Sequence, residues 1–158
     1  MFEYELYEGM VSWLKDYLQT KYPNYTITCV DSHSNRLDQV LTNCGVTIEV
    51  ANGIDIQIDV LGIAMKGQDV RVFFIEAKRT QLTLRDLGQL WAYCKLINPE
   101  EAFLFSSSGL GSLNRILNHF RREDLLDFGD GKYIKKMKVG IWNINSGSPY
   151  TESLIPKM

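Results

Sequence analysis

Apolar and polar positions at the start of the chain predict a helix followed by a strand. From about Glu3 to Lys21, apolar side chains recur at helical spacing, and Tyr22-Pro23-Asn24 ends that pattern. Residues Tyr25–Val30 then alternate between polar and apolar side chains, as in a half-buried strand. The weaker segment Leu37–Leu41 fits either a short helix or an irregular connection.

Three β-rich runs follow and predict an antiparallel meander. The runs are Val46–Val50, Ile54–Ala64 and Val70–Ala77. Asn52-Gly53 separates the first two runs and is a strong signal for a tight hairpin, and Lys66–Asp69 provides a second turn.

The second half of the chain predicts further helices and strands. Apolar residues recur at helical spacing over Leu82–Leu96, and Ala102–Phe105 is short and wholly apolar, as in a buried parallel strand. Ser112 is placed to cap a further helix, and Tyr133–Ile144 has the pattern of a last strand. The side chains expected on the inner face of the Ser112 helix are Leu113, Ile116, Leu117 and Phe120. The predicted order is αβββαβ followed by αβ, an α/β fold with a mixed sheet in which residues 1–158 form a single domain.

Composition narrows the classes of protein to which the chain can belong. It has 158 residues, of which 45% are hydrophobic, and this is enough for one domain with a sizeable core. No stretch approaches the roughly 20 apolar residues that span a bilayer, so we expect no membrane segment. Three widely spaced cysteines fit a reduced, cytoplasmic protein and give no zinc-binding pattern.

The charged residues are unevenly distributed. The chain has 17 basic and 19 acidic side chains, but residues 1–65 hold only three of the basic and nine of the acidic ones. The remainder therefore carries 14 basic and 10 acidic side chains, and we expect one acidic and one basic surface. A polyanion can dock on the basic surface.

The turn between the second and third β-rich runs determines which side chains face each other. With Gly67 at the first central position of a two-residue turn, Lys66 faces Asp69, and Asp59 lies directly opposite Glu76. Opposed β-carbons are about 4.5–5.5 Å apart, and like charges there repel each other. Because Glu76 also ends a strand apolar enough to be buried, two ionised carboxylates at this place require a cation. Magnesium takes carboxylate oxygens together with water and phosphate oxygens, so we expect Asp59 and Glu76 to bind it.

Other polar side chains are expected around this pair. Gln57 lies opposite Lys78, and the Lys78 ammonium can hold a water molecule or a phosphate oxygen beside the metal. The remaining polar residues predicted near the same mouth are Gln89, Tyr93, Arg79 and Arg85.

These residues form three short motifs in order along the chain. The motifs are Ile58-Asp59, Glu76-Ala77-Lys78 at the end of an apolar strand, and a Gln-x-x-x-Tyr element from Gln89 to Tyr93 on the next helix. They resemble the motifs of the PD-(D/E)xK nuclease superfamily, also called restriction-endonuclease-like. The αβββαβ order is similar to the core of that superfamily, and the Gln-x-x-x-Tyr element resembles its RecB-type branch. The resemblance covers roughly residues 3–106.

The resemblance implies a metal-dependent phosphodiester hydrolase. It implies that Asp59 and Glu76 bind Mg²⁺, for which Mn²⁺ can substitute, with help from the backbone carbonyl of Ala77. It also implies that Lys78 positions or activates the attacking water.

Residues on the helices complete the site that the resemblance implies. Gln89 and Tyr93 are four residues apart, stack on one helical face, and would orient the site or contact the substrate backbone. An acidic residue of the first helix often joins the site in such proteins. Glu8 is the candidate here, because it faces the apolar stripe more nearly than Glu5 does.

Arg79, Arg85 and Tyr93, near the predicted carboxylates, are candidates for contacts with DNA. Basic residues in the second half of the chain are further candidates, for contacts with DNA phosphates. They are Arg115, Arg121, Arg122, Lys132, Lys135, Lys136 and Lys138. The expected function is that of a Mg²⁺-dependent deoxyribonuclease, most simply an endonuclease. Cutting both strands of a duplex with one site per chain favours a homodimer, or a subunit of a larger complex.

Other interpretations of the same residues stay open. Asp55, Gln57 and Asp59 can form the solvated face of an ordinary strand, with Glu76 and Lys78 as its cross-strand partners. The chain can also be a non-catalytic nucleic-acid-binding or assembly subunit that keeps the fold. Within the enzyme class, a junction-resolving or end-processing nuclease fits the sequence equally well.

Overall fold

Eight strands lie within residues 2–158, the part of the chain that the computed structural model describes. They are Thr26–Asp31 (β1), Val60–Lys66 (β2), Asp69–Lys78 (β3), Glu101–Ser106 (β4), Asp127–Asp130 (β5), Tyr133–Lys136 (β6), Lys138–Asn143 (β7) and Ser148–Pro149 (β8). Six of them form one mixed sheet in the order β1-β2-β3-β4-β7-β8, and β5 and β6 form a separate hairpin. Pairing is antiparallel from β1 to β3, parallel from β3 through β4 to β7, and antiparallel between β7 and β8. The mixed α/β class predicted from the sequence is confirmed.

Helical segments connect these strands. The helices are Tyr4–Lys21 (α1), Leu37–Asn43 (α2), Leu84–Ile97 (α3) and Ser112–Asn114 (α4), and α4 continues as a π-helical turn over Arg115–His119. Short 3-10 turns occupy Glu49–Ala51, Glu123–Leu126 and Thr151–Ser153. No helix within residues 2–158 is both long enough and apolar enough to cross a bilayer.

Helix α3 spans Leu84–Ile97, against the predicted range Leu82–Leu96, and both of its ends are capped. At its start, the Thr83 hydroxyl accepts a hydrogen bond from the Asp86 N–H, and the Asp86 carboxylate accepts one from the Thr83 N–H. At its end, Asn98 takes the left-handed conformation with φ 59° directly before Pro99. These two caps fix the helix that follows β3.

Two hydrophobic cores lie on opposite faces of the main sheet. On one face α1 packs against the sheet, to which β3 contributes Phe73 and Ile75. On the other face α2 and α3 pack against side chains that include Val72 and Phe74. Because successive side chains of a strand point to opposite faces, this alternation places Glu76 on the face covered by α3.

The hairpin of β2 and β3 has the predicted register. Lys66 pairs with Asp69, and the ladder continues to Val60 opposite Ile75. Gly67, at the first central position of the turn, has φ 61°, as a two-residue turn of this kind requires. The next residue pair beyond the ladder is Asp59 and Glu76.

The first strand of the meander differs from the prediction. Val46–Val50 does not form a strand, and β1 pairs with β2 in its place. Residues 54–59 precede β2 without regular structure, and the Ile56 carbonyl accepts a hydrogen bond of 2.7 Å from the Leu37 N–H at the start of α2. Val46 and Ile56 are buried in the core beneath α2 and α3, so the apolar character of this region serves packing rather than strand pairing.

The C-terminal region also departs from the prediction. Gly111, not Ser112, precedes α4, and Phe120 is 54% exposed rather than directed inward. The predicted strand Tyr133–Ile144 divides at Met137 into β6 and β7. Met137 is fully buried, and its N–H donates to the Leu126 carbonyl at 2.8 Å, which continues the register of β6 with β5, whereas the pairing of β7 with β4 begins at Lys138.

Candidate active site

Asp59 and Glu76 meet where the β2–β3 hairpin ends. The backbone N–H of Asp59 donates to Oε1 of Glu76 at 3.2 Å, and the N–H of Ala77 donates to Oδ2 of Asp59 at 2.8 Å. These reciprocal contacts bring the two carboxylates together, as the predicted register requires. Asp59 lies just before β2, so its side chain is positioned by hydrogen bonds rather than by a strand ladder.

Both carboxylates are in an environment that opposes their ionisation. Burial, reinforced by the negative charge of Asp59, raises the pKa of Glu76 to about 8. Burial also raises the pKa of Asp59, although hydrogen bonds from Ala77 and Tyr7 and the charge of Lys78 oppose that shift. Because Asp59 receives more hydrogen bonds that favour its charged form, the proton retained by the pair near neutral pH lies mainly on Glu76.

Lys78 is the basic residue of the predicted motif. It ends β3, is half-buried, and pairs with Ser106 of β4 in the sheet. Its positive charge lowers the pKa of both Asp59 and Glu76, but within residues 2–158 it has no ion-pair partner at 4 Å or less. The ammonium group of Lys78 therefore acts electrostatically on both carboxylates but forms an ion pair with neither. Gln57, predicted to face Lys78, lies outside the ladder and is exposed.

Among the acidic residues of the α1 region, Glu3 rather than the predicted Glu8 acts electrostatically on the two carboxylates. Glu8 is exposed on α1, and so is Glu5. Glu3, at the N-terminal end of α1, is half-buried, and its negative charge raises the pKa of both Asp59 and Glu76. The helix turns Leu6, Tyr7 and Met10 towards the sheet, which leaves Glu8 on the outer side.

Two residues that the sequence analysis did not select contact Asp59. The Tyr7 hydroxyl donates to Oδ1 of Asp59 at 3.1 Å, and the Ser32 N–H donates to the Asp59 carbonyl at 2.9 Å. The ring of His33 lies 4.8 Å from that of Tyr7 between centroids, and His33 also bonds Asp31. The signal for Tyr7 was present in the sequence, because it lies at helical spacing before Met10 on the apolar stripe.

The Gln-x-x-x-Tyr element lies on α3 without reaching the carboxylates. Gln89 is exposed, and its amide nitrogen is 3.4 Å from the Tyr93 hydroxyl, so the two side chains do share one helical face. Neither has a hydrogen bond to Asp59, Glu76 or Lys78 in the described part of the chain. Tyr93 packs at the edge of the core next to buried Cys94, and burial, together with the negative charge of Glu76, raises the pKa of the Cys94 thiol.

The predicted DNA-binding arginines occupy different surroundings. Arg79 follows Lys78 directly, and its guanidinium lies 5.6 Å from the ring centroid of Phe2. Arg85 is exposed in the first turn of α3. Arg121 and Arg122 are exposed beyond the π-helical turn, and Arg122 pairs with Asp124 at 2.8 Å. Arg79 and Arg85 therefore lie on the segment that leads away from the carboxylates, whereas Arg121 and Arg122 belong to the C-terminal region.

The loops that leave β3 and β4 are tied together beside Lys78. The Ser106 hydroxyl donates to the Thr80 carbonyl, and the Ser108 hydroxyl donates to the Arg79 carbonyl. A groove of about 710 Å³ lies beyond these loops, and its lining, which includes Gln81, Asn114, Leu154 and Ile155, comes mainly from the π-helical region and the C-terminal segment. Ser106 and Ser108 thus use their hydroxyl groups to join the two loops beside Lys78.

The carboxylates brought together here are oxygen donors of the kind that a hard divalent cation takes. Within residues 2–158 no group of three or more His, Cys, Asp or Glu side chains is placed to hold a metal ion, and the residues that could hold one here are the predicted Asp59, Glu76 and Ala77, the last through its carbonyl. Magnesium commonly binds through one or two carboxylates and completes its coordination with water and substrate phosphate oxygens. The donor set therefore fits Mg²⁺ or Mn²⁺.

Comparisons with protein-family models, with curated proteins and with solved structures gave no match. The family resemblance consequently rests on the three motifs and the order of the elements.

Proposed function

We propose that the protein is a Mg²⁺-dependent nuclease of the PD-(D/E)xK type that hydrolyses DNA phosphodiester bonds. The observation that carries this proposal is the contact of Asp59 and Glu76 at the end of the β2–β3 hairpin, where the Asp59 N–H donates to the Glu76 carboxylate at 3.2 Å and the N–H of the next residue, Ala77, donates to the Asp59 carboxylate at 2.8 Å. Glu76 is buried and Asp59 is half-buried, and within residues 2–158 neither has an ion-pair partner at 4 Å or less, so a bound divalent cation would supply the missing positive charge.

The order of the elements supports the same assignment. A first helix on one face, a hairpin that ends in the carboxylates, and a parallel strand beside β3 after a crossover helix fit the αβββαβ core of restriction-endonuclease-like proteins. The C-terminal αβ part extends the sheet through β7.

The metal would be held by Asp59, Glu76 and the carbonyl of Ala77. When bound, it would supply Lewis-acid stabilisation of charge on the phosphate and a more acidic water. Lys78 donates a hydrogen bond to the attacking water or to a non-bridging phosphate oxygen, and its positive charge favours the negative charge that develops there. Binding of the cation would release the proton that Glu76 retains near neutral pH, and the cation would then neutralise the two ionised carboxylates.

The surrounding residues would guide the substrate. Arg79 and Arg85 lie on the segment after Lys78 and are placed to bind phosphates of the DNA backbone. Gln89 is exposed on α3 and Tyr93 is half-buried beside it, so they would contact the substrate rather than the carboxylates. Arg121 and Arg122 would contribute only to a longer track of DNA, and Arg122 would do so in competition with Asp124.

A non-catalytic nucleic-acid-binding subunit is the second candidate. The observation in its favour is that both oxygens of Asp59 already accept hydrogen bonds from the protein. Each carboxylate oxygen has two lone pairs, however, so one on each remains for a metal. A homodimer, or a place in a larger complex, would bring together two such sites for cleavage of both strands.

The test is cleavage of supercoiled plasmid, linear duplex and branched DNA with Mg²⁺, with Mn²⁺ and with chelator. The wild-type protein should cut only with a metal, and the preferred substrate would separate an endonuclease from a junction-resolving or end-processing enzyme. Glu76→Gln should not cut, whereas the control Glu8→Gln, altered on the outer side of α1, should cut at the wild-type rate. Binding of DNA without cleavage under every metal condition would support the non-catalytic subunit.

A further inference from the structure

We propose that Tyr7 is a positioning residue that fixes the orientation of the Asp59 carboxylate for metal binding. This inference rests on the proposed metal site and adds to it a residue from the first helix. Its basis is the hydrogen bond of 3.1 Å from the Tyr7 hydroxyl to Oδ1 of Asp59, made across the interface between α1 and the start of β2.

Asp59 needs such support because it lies outside the strand ladder. Its main chain is held by the Ser32 N–H, which donates to the Asp59 carbonyl at 2.9 Å. Its side chain has the Ala77 N–H on Oδ2 at 2.8 Å. The last torsion of an aspartate side chain is broad, so one hydrogen bond leaves the carboxylate plane free to rotate. A second donor on the other oxygen fixes that plane.

Tyr7 is suited to this task by its own burial. The residue is only 4% exposed and lies on the otherwise apolar face of α1. A buried hydroxyl is costly unless it has a partner, and Asp59 is the partner that the structure provides. The ring of His33, 4.8 Å away between centroids, packs against the ring of Tyr7 and restricts its movement.

The Asp59 carboxylate, although held by two hydrogen bonds, still has free lone pairs that a metal ion can use. Each oxygen of Asp59 accepts one hydrogen bond from the protein and retains a lone pair. Removal of a group that hydrogen-bonds to a metal ligand, without touching the metal itself, typically lowers metal affinity or activity by about 10–100-fold. Tyr7 would act in this way on Asp59, without touching the metal or the substrate.

The experiment compares Tyr7→Phe with Tyr17→Phe. Tyr17 is a matched control, because it is also on α1 and its hydroxyl donates at 2.8 Å to another carboxylate, that of Glu101. Binding of Mn²⁺ alone to each purified protein would be measured from the free-ion signal in electron paramagnetic resonance, with Glu76→Gln alongside. Thermal melts would establish that both tyrosine variants are folded.

We expect Tyr7→Phe to weaken Mn²⁺ binding at least about tenfold and Tyr17→Phe to leave it within about twofold of wild type. If wild type binds Mn²⁺, Glu76→Gln does not, and folded Tyr7→Phe binds within about twofold of wild type, the positioning role is overturned while the metal site stands. Equal losses in Tyr7→Phe and Tyr17→Phe would overturn it too, since they would reflect general destabilisation. Absence of Mn²⁺ binding by the wild-type protein would overturn the metal site and the positioning role together.

Discussion

Substitution of Glu76 by glutamine should stabilise the metal-free protein, and the gain should grow as the pH rises. Glu76 is 9% exposed and lies against Asp59, so its charged form is disfavoured in the folded protein. Glutamine keeps the shape and can still accept the hydrogen bond from the Asp59 N–H, but it cannot ionise.

The raised pKa of Glu76 determines whether the free energy of unfolding rises or falls with pH. The pKa of Glu76 is about 8 in the folded protein against an ordinary 4.5, so between these values the folded protein holds a proton that the unfolded chain has released. The free energy of unfolding therefore falls with rising pH through this window, is unaffected by this group below it, and levels off above it.

The pH range between the unfolded and folded pKa values of Glu76 limits how much free energy of unfolding is lost. Each pH unit inside it changes the free energy of unfolding by about 1.4 kcal/mol, so from about pH 5 to about pH 8 the loss is at most about 4 kcal/mol. Asp59 shares the proton, and solvent near the mouth relaxes around the charge, so about 2 kcal/mol is the expected change. For a chain of this length that corresponds to a widening of the Tm difference by about 4–8 °C.

The assay is thermal unfolding of wild type, Glu76→Gln and Glu8→Gln in chelator over this pH range. Glu8→Gln should follow wild type at every pH, because Glu8 is exposed. Addition of Mg²⁺ near pH 8 should restore stability to wild type and not to Glu76→Gln, since a ligand that binds only the folded state stabilises it. A Tm difference between wild type and Glu76→Gln that stays constant with pH would refute the electrostatic account of the pair.

Three further predictions concern other parts of the molecule. Lys78→Ala should lower the rate of DNA cleavage about 100-fold with little change in Mg²⁺ affinity. The control Lys66→Ala, in the distal turn, should leave the rate unchanged. Equal rates for Lys78→Ala and wild type would give Lys78 a structural role. Glu101→Gln should cost about 2 kcal/mol in denaturant unfolding, because the buried Glu101 carboxylate accepts hydrogen bonds from Lys21 and Lys138, both at 3.1 Å, and an unchanged midpoint would contradict this. Gly111→Ala should destabilise the protein by more than about 2 kcal/mol, because the φ of Gly111 is +55° and a Cβ there would lie 2.4 Å from the Leu82 carbonyl oxygen. The control Gly53→Ala, with φ +75° and open space around the new Cβ, should cost only about 1 kcal/mol. Equal costs for the two substitutions would contradict the close approach at Gly111.

The parts of the site that local rules determine could be predicted from the sequence. A two-residue turn fixes the register of the strands it joins, so Gly67 was sufficient to predict the pairing from Lys66–Asp69 to Val60–Ile75, next to Asp59 and Glu76. Apolar spacing alone predicted α3 to within two residues at its start and one at its end, and the caps at Thr83 and Asn98 account for the observed limits.

Contacts between segments far apart in the sequence could not be predicted from local sequence rules. Apolar β-branched residues predicted a strand at Val46–Val50, but they fit any buried surface, and the more distant β1 took the place beside β2. The contact of Tyr7 with Asp59 joins residues 52 positions apart and depends on how α1 packs on the sheet. The same packing explains why Glu3, rather than Glu8, lies near the carboxylates.

The most direct test of the proposed metal centre is anomalous diffraction from crystals of the protein grown with Mn²⁺ and a short DNA duplex. The account predicts a Mn²⁺ peak bound by one oxygen each of Asp59 and Glu76 at about 2.0–2.3 Å, with a DNA phosphate and Lys78 beside it. DNA bound in the crystal with no Mn²⁺ at these two carboxylates, or with Mn²⁺ only elsewhere on the protein, would contradict it.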